Sequence, residues 1–232
     1  MDIKQIRYSS DNLGYLVYSG TKGIAIDAGA VEETLKFARD HSIEIKYVCN
    51  THCHPDHTSG NAHLLEKTSA VFIDCTEISL DTFLQLGEET LQIWPTPGHT
   101  KDCITFKTDR FIVTGDTLFN GTVGNCFSGD FDAFFNSLKR LISLPADTLI
   151  YAGHDYVADS MKMAAIIEDN DPDIEKYLSC YDKDLVVSCL GDELKVNPYI
   201  RFDAPEMIEN LNRRKMPAAS SAQRFRSIME IY

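Results

Sequence analysis

The chain has 232 residues, enough for one large domain or one domain with a small appendage. Its hydrophobic share of 44% and charged share of 25% are ordinary for a soluble globular protein, and a formal charge of −13 argues against nucleic acid as a partner. No stretch approaches the ~18 apolar residues of a membrane span, and the opening MDIKQIRYSSDNLGYLVYSG lacks the apolar core and cleavage site of a signal peptide, so a cytoplasmic protein with no membrane partner is expected.

In chain order, IKQIRYS, YLVYS and GIAIDAG read as short strands separated by the turn-like DNLG and GTKG. AVEETLKFARDHS has helical spacing at Val31, Leu35 and Ala38, and IKYVCN returns to a buried strand. NAHLLEKTSA reads as a helix, VFIDC as a strand, and LQIWPTPG as a strand that ends at its prolines. CITFKTD and FIVTGD form a hairpin pattern, and DFDAFFNSLKRLISL is an amphipathic helix with Asp130 or Asp132 near its start. TLIYAG is a further strand; SMKMAAIIEDN, PDIEKYLSCYD, PEMIENLNRRK and SSAQRFRSIMEI read as helices. Strands followed by alternating helices predict sheets covered by helices.

Charge and cysteine are unevenly used. Residues 201–232 hold six basic side chains (Arg201, Arg213, Arg214, Lys215, Arg224, Arg226) against four acids (Asp203, Glu206, Glu209, Glu230), a balance of +2, so the first 200 residues carry −15. Such a tail either steers an anionic substrate or forms the solvated faces of two helices, the second being the simpler reading. The seven cysteines contain no CxxC pair and are expected to be reduced. Cys53, between two histidines, is read as a small side chain turned to the other face.

The stretch NTHCHPDHTSG, residues 50–60, holds three of the chain's seven histidines beside an aspartate and a proline. Four apolar runs each end in a metal-capable residue: IKYVCNT leads into His52, LQIWPTPG into His99, FIVTG into Asp116 and LIYAG into His154. Strands packed in register bring such ends to one rim. His52 and His54, two apart in an extended segment, project from the same side and can hold one ion with His99. Pro55 then turns the chain to present Asp56 and His57 to a neighbouring ion, which His154 completes while Asp116 bridges. Nitrogen and carboxylate donors suit two divalent ions, zinc first, with iron or manganese as alternatives. His41 and His63 are read as ordinary surface or core histidines.

THCHPDH matches the HxHxDH signature of the metallo-β-lactamase fold superfamily, and PGHT, GDTLF and AGHDY follow in that superfamily's order. These matches run from about Asn12 to Tyr156, and NPYIRF extends them. Within the superfamily the chain most resembles glyoxalase II, the hydroxyacylglutathione hydrolases. The resemblance implies an α/β fold, a four-layer αββα sandwich over residues 1–170, with a mainly helical segment over 171–232 that shapes the substrate site. It also implies that His52, His54 and His99 hold one metal, that Asp56, His57 and His154 hold a second, and that Asp116 bridges them. A metal-bridging hydroxide would then attack a small-molecule, anionic thioester, with Asp56 and Asp116 as the catalytic carboxylates. Tyr156 matches a substrate-contacting tyrosine, whereas Asn125 stands where a basic residue is expected and Phe127 where a tyrosine often lies. The acyl group, thiol carrier and oligomeric state stay open. Rival readings are a persulfide dioxygenase with one iron on His52, His99 and Asp116, a lactone or ester hydrolase, and a non-catalytic binding protein of the same fold.

Overall fold

The computed structural model describes residues 1–167 and 172–231. Its first half opens with β1 (Asp2–Tyr8), β2 (Asn12–Ser19) and β3 (Lys22–Ile26), followed by α1 (Val31–Asp40) and β4 (Glu44–Cys49). After α2 (Pro55–Thr58) and α3 (Asn61–Lys67), β5 (Val71–Ile73) closes a sheet of order β1-β2-β3-β4-β5. The second half contributes β6 (Thr82–Leu86), β7 (Glu89–Pro95), β8 (Ile104–Lys107), β9 (Phe111–Gly115), α4 (Phe131–Ile142) and β10 (Leu149–Ala152). It ends with α5 (Val157–Ile167), α6 (Pro172–Ser179), β11 (Ser188–Cys189), α7 (Leu190–Val196), α8 (Pro205–Arg213) and α9 (Ser221–Glu230), and its sheet has the order β11-β10-β9-β8-β7-β6.

Period-two alternation explains the layering. In β2, Leu13, Tyr15 and Val17 enter the core between the sheets, while Leu16 faces α1 together with Val31, Leu35 and Ala38. In the second sheet Phe111 and Val113 of β9 and Tyr151 of β10 point into the same central core. Ile112 and Ile150 point out, under Phe134, Leu138 and Leu141 of α4 and Phe225 and Ile228 of α9. Each sheet is thus apolar on both faces and covered by helices, the αββα arrangement expected. A fully buried Leu or Phe in these layers contributes about 1.5–3 kcal/mol relative to exposure. Asp130 caps α4 by accepting the Ala133 N–H at 2.9 Å.

Some elements escape the sequence patterns. The edge strand β6 leaves Phe83 65% exposed and buries Leu86, so it shows no continuous apolar run. The helix α2 has only four residues and β11 two, too few for a periodic signal, and the seven-residue α7 is not singled out by those patterns. The helix α5 begins at Val157, three positions ahead of the predicted SMKMAAIIEDN, whose last residues, 168–170, lie outside the described residues. The division at 170/171 also falls there. Beyond it, β11 pairs with β10, and Leu190, Phe202, Met207 and Phe225 share a core with Ile112 and Phe134.

Two arginines of the basic tail serve the fold. Arg224 donates to the carbonyls of Phe202 at 2.7 Å and Ala218 at 2.9 Å, and Arg214 donates to that of Ile166 at 3.0 Å. These bonds favour the structural reading of the tail over steering. Among the described residues no helix is long and apolar enough to cross a membrane.

Candidate metal centre

The strand ends meet because of direction and stitching. The strands β9 and β10 run parallel, so Asp116 and His154 leave the sheet at one edge, and the Gly153 N–H donates to Gly115 O at 2.9 Å. The other sheet is tied to this edge by Leu13 N–H to Gly153 O and Ile104 N–H to Thr51 O, each 2.8 Å. His54 precedes α2 in an extended conformation, and Pro55 at the helix start turns the chain so that Asp56 and His57 face a second point.

Two ligand groups result. His54 Nδ1 lies 2.9 Å from His52 Nε2 and 3.1 Å from His99 Nε2, and His99 Nε2 lies 3.6 Å from Asp116 Oδ2. In the second group His57 Nε2 and His154 Nε2 are 3.2 Å apart, and Asp56 Oδ2 is 3.4 and 3.3 Å from them. Asp116 faces both: its Oδ1 is 3.4 Å from His57 Nε2, and its Oδ2 is 3.5 Å from His154 Nε2. With metal–ligand bonds of ~2.0–2.1 Å, the edge of a coordination tetrahedron is about 3.3 Å, which these separations bracket. Asp116 Oδ1 is buried without a hydrogen-bond partner, a costly state that a cation between the two groups relieves. The donors and their spacing therefore fit a pair of divalent ions.

The outer ring nitrogens are held in place, which orients the inner ones. His57 Nδ1 pairs with Asp27 Oδ2 at 3.0 Å, His154 Nδ1 with Asp11 Oδ1 at 3.2 Å and His52 Nδ1 with Thr51 Oγ1 at 3.2 Å. His99 Nδ1 donates to the carbonyl of Asn125 at 2.9 Å. Asp27 is fully buried and also accepts the Thr51 N–H at 2.8 Å and the Thr51 hydroxyl at 2.6 Å. Asn12 Nδ2 donates to Asp56 Oδ2 at 2.9 Å. Sequence reasoning missed Asp27, Asp11 and Asn12 as parts of the site. For Asp27 the signal was present, since GIAIDAG is a fifth apolar run ending in a carboxylate.

Electrostatics separate the two groups. Burial, reinforced by the charge on His57, lowers His52 to about 4, so its ring is neutral at pH 7. Burial would also lower His57, but the carboxylates of Asp27 and Asp116 outweigh it and push that ring up to about 11. Burial would raise Asp116; His57, then His154 and His52, hold it down to about 2 instead. An ion taken at His57 Nε2 must displace a proton, whereas one at His52 Nε2 displaces none. Metal uptake by the second group is therefore expected to strengthen by up to about tenfold per pH unit below pH 11. Zinc titrations at pH 6 and 8 in a pH-stat check this through proton release and the two apparent affinities.

Glycine is required at position 153. A Cβ there would sit 2.2 Å from Asp116 Oδ1 and 2.9 Å from His57 Cε1. Gly153→Ala is expected to displace the shared carboxylate and cut turnover by about a hundredfold, two decades being some 2.7 kcal/mol of barrier. Circular dichroism alongside steady-state rates distinguishes this from unfolding.

Aromatic rings flank the cage. Phe127, 67% exposed, lies 5.1 Å from the His99 ring and 5.9 Å from that of His54. Tyr156 stacks on His154 at 5.0 Å, with Phe119 against it at 5.2 Å. Asn125 is exposed, and its contact with the cage is the backbone carbonyl on His99. Cys53 turns away from the cage, as the alternation predicts. His41 stacks on Phe37 and His63 is an exposed partner of Glu32, both outside the cage.

The family model described as the metallo-beta-lactamase superfamily matches residues 12–80 and 76–154. The chain is 30% identical over 229 residues to a hydroxyacylglutathione hydrolase of Pseudoalteromonas translucida, covering 91% of this chain and 89% of that protein. It is 33% identical over 229 residues to one of Hyphomonas neptunium, covering 89% of each. Among solved structures it resembles ETHE1 from Myxococcus xanthus, with a TM-score of 0.72, 24% identity, and coverage of 99% of this chain and 90% of that one.

Proposed function

Because this chain belongs to the metallo-beta-lactamase superfamily, we propose that its metal-dependent hydrolytic chemistry acts on a thioester, of the hydroxyacylglutathione type that names its relatives. The observation carrying this reading is Asp116, whose two oxygens face two histidine groups at 3.4–3.6 Å. His52, His54 and His99 would hold one ion and Asp56, His57 and His154 the other, with Asp116 between them. Zinc is the first candidate, and iron or manganese accepts the same donors. Bound there, such ions acidify water and polarise a carbonyl.

The remaining work falls to the chain's own residues. Asp56 has a side chain 45% exposed and is anchored by Asn12, so it can orient a water toward a substrate carbonyl. Phe127 packs beside His99 and Tyr156 against His154, so the two rings flank different ligand groups and would form walls against a small substrate. A thiol leaves readily because it is a fairly strong acid, pKa ~8.5 for free cysteine. Identity of 30–33% to hydroxyacylglutathione hydrolases over about nine-tenths of the chain supports the hydrolase over a single-iron persulfide dioxygenase.

Metal content and a substrate panel test the reading together. Protein purified without chelators should hold two ions in the histidine cage and hydrolyse S-lactoylglutathione or a related thioester in preference to lactones. His54→Ala is expected to lose one of those ions and at least about a hundredfold in rate, because its Nδ1 touches both His52 and His99. One iron per chain, with oxygen consumed on a persulfide and no thioester cleavage, refutes the proposal.

A further inference from the structure

Behind the loop that carries His52 and His54, Cys53 meets two groups from distant parts of the chain. Its Sγ is 3.4 Å from that of Cys75, which opens the 3-10 turn Cys75–Glu77 after β5. Cys75 Sγ is 3.7 Å from Asp102 Oδ2, in the loop before β8, and the Cys53 N–H donates to the same oxygen at 2.8 Å. One ligand atom from each of the three residues lies within 4.8 Å of the other two.

These separations are those of a coordination shell. A tetrahedral zinc with Zn–S of ~2.3 Å and Zn–O of ~2.1 Å has S···S edges of about 3.8 Å and S···O edges of about 3.6 Å. The observed sulfur–sulfur distance is about 0.4 Å shorter than that edge. A disulfide bond, at ~2.05 Å, would require the sulfurs to close by more than an ångström.

We propose that Cys53, Cys75 and Asp102 form a third cation site, separate from the histidine cage, for a thiophilic divalent ion of the zinc type. Two thiols and one carboxylate suit such an ion, and its binding releases both thiol protons to solvent. Cys75 is buried while Cys53 is exposed and Asp102 partly so, which leaves the fourth position open to water. The ligands come from the loop after β4, the 3-10 turn after β5 and the loop before β8. The ion clips the two sheets together at the residue between His52 and His54, and so steadies the segment that presents both histidines.

Titration of reduced, metal-free protein with Co²⁺ reads the site directly. The expected result is three equivalents per chain with near-ultraviolet thiolate-to-cobalt absorption. Cys53→Ser and Cys75→Ser should each stop at two equivalents and lose that absorption. Cys53→Ser replaces an exposed side chain, so it serves where Cys75→Ser fails to fold. In the wild type, Zn²⁺ should slow iodoacetamide alkylation of Cys53 by about tenfold or more. Exposed Cys180 is the internal control, alkylated at the same rate with or without the ion. Saturation at two equivalents without the absorption, or alkylation of Cys53 indifferent to zinc, overturns the third site and leaves the histidine cage standing. Binding of no ion at all defeats both.

Discussion

Asp116→Ala is expected to lower kcat/KM of the metal-loaded protein by about a thousandfold or more, with the fold retained. Losing several kcal/mol of charge stabilisation, at 1.36 kcal/mol per decade, gives that magnitude. Its carboxylate reaches both ligand groups, Oδ1 toward His57 and Oδ2 toward His99 and His154. The substitution also removes the carboxylate that lies within 3.4–4.0 Å of four histidine ring nitrogens. Metal counting beside the rate assay checks the argument. The variant should bind fewer than two ions in the cage, and near-normal turnover would refute a shared carboxylate.

The second large effect is expected at Asp27, which touches no substrate. In the metal-free protein, removing one partner of a buried pair costs about 3–5 kcal/mol when the remaining charge is left uncompensated, and the lower end applies here because Asp116 stays 3.4 Å from His57. For a chain of this size Asp27→Ala should therefore lower Tm by on the order of ten degrees. His57 is the charged partner, with its pKa raised to about 11. A raised pKa contributes stability that is fully present below its unfolded value, ~6.5, and is lost as the pH rises through the folded value. The difference between wild type and Asp27→Ala should accordingly narrow as pH approaches 11. The metal-loaded variant should also bind its second ion about 10–100-fold more weakly, the usual cost of removing the group that orients a ligating histidine. Thermal melts across pH and zinc titration test the two effects separately.

The candidate donors and their order were legible in the chain because coordination chemistry is selective and local. His52, His54, Asp56 and His57 fall within six positions, and Pro55 between them marks the turn that points the last two elsewhere. The faces of β2, β9 and α1 were likewise legible, since period two and period 3.6 record burial directly. The edge strand β6 was not, because an exposed edge leaves little alternation to read.

Asp27 and Asp11 were assigned no part in the site by such patterns, and Asn125 was placed among the substrate contacts rather than as a carbonyl on His99. Each acts on a histidine through a contact made only by folding; Asp11 and His154, for example, are 143 positions apart. The same holds for the Cys53, Cys75 and Asp102 cluster, in which a residue from the first sheet's edge meets a loop of the second. The linear chain thus carried the candidate donors, Asp116 between the two groups included, and the strand ends that hold them. Tertiary structure decided which ring nitrogens point inward and which side chains anchor the outer ones, because those outcomes depend on the pairing of distant segments and on buried hydrogen bonds no local pattern records.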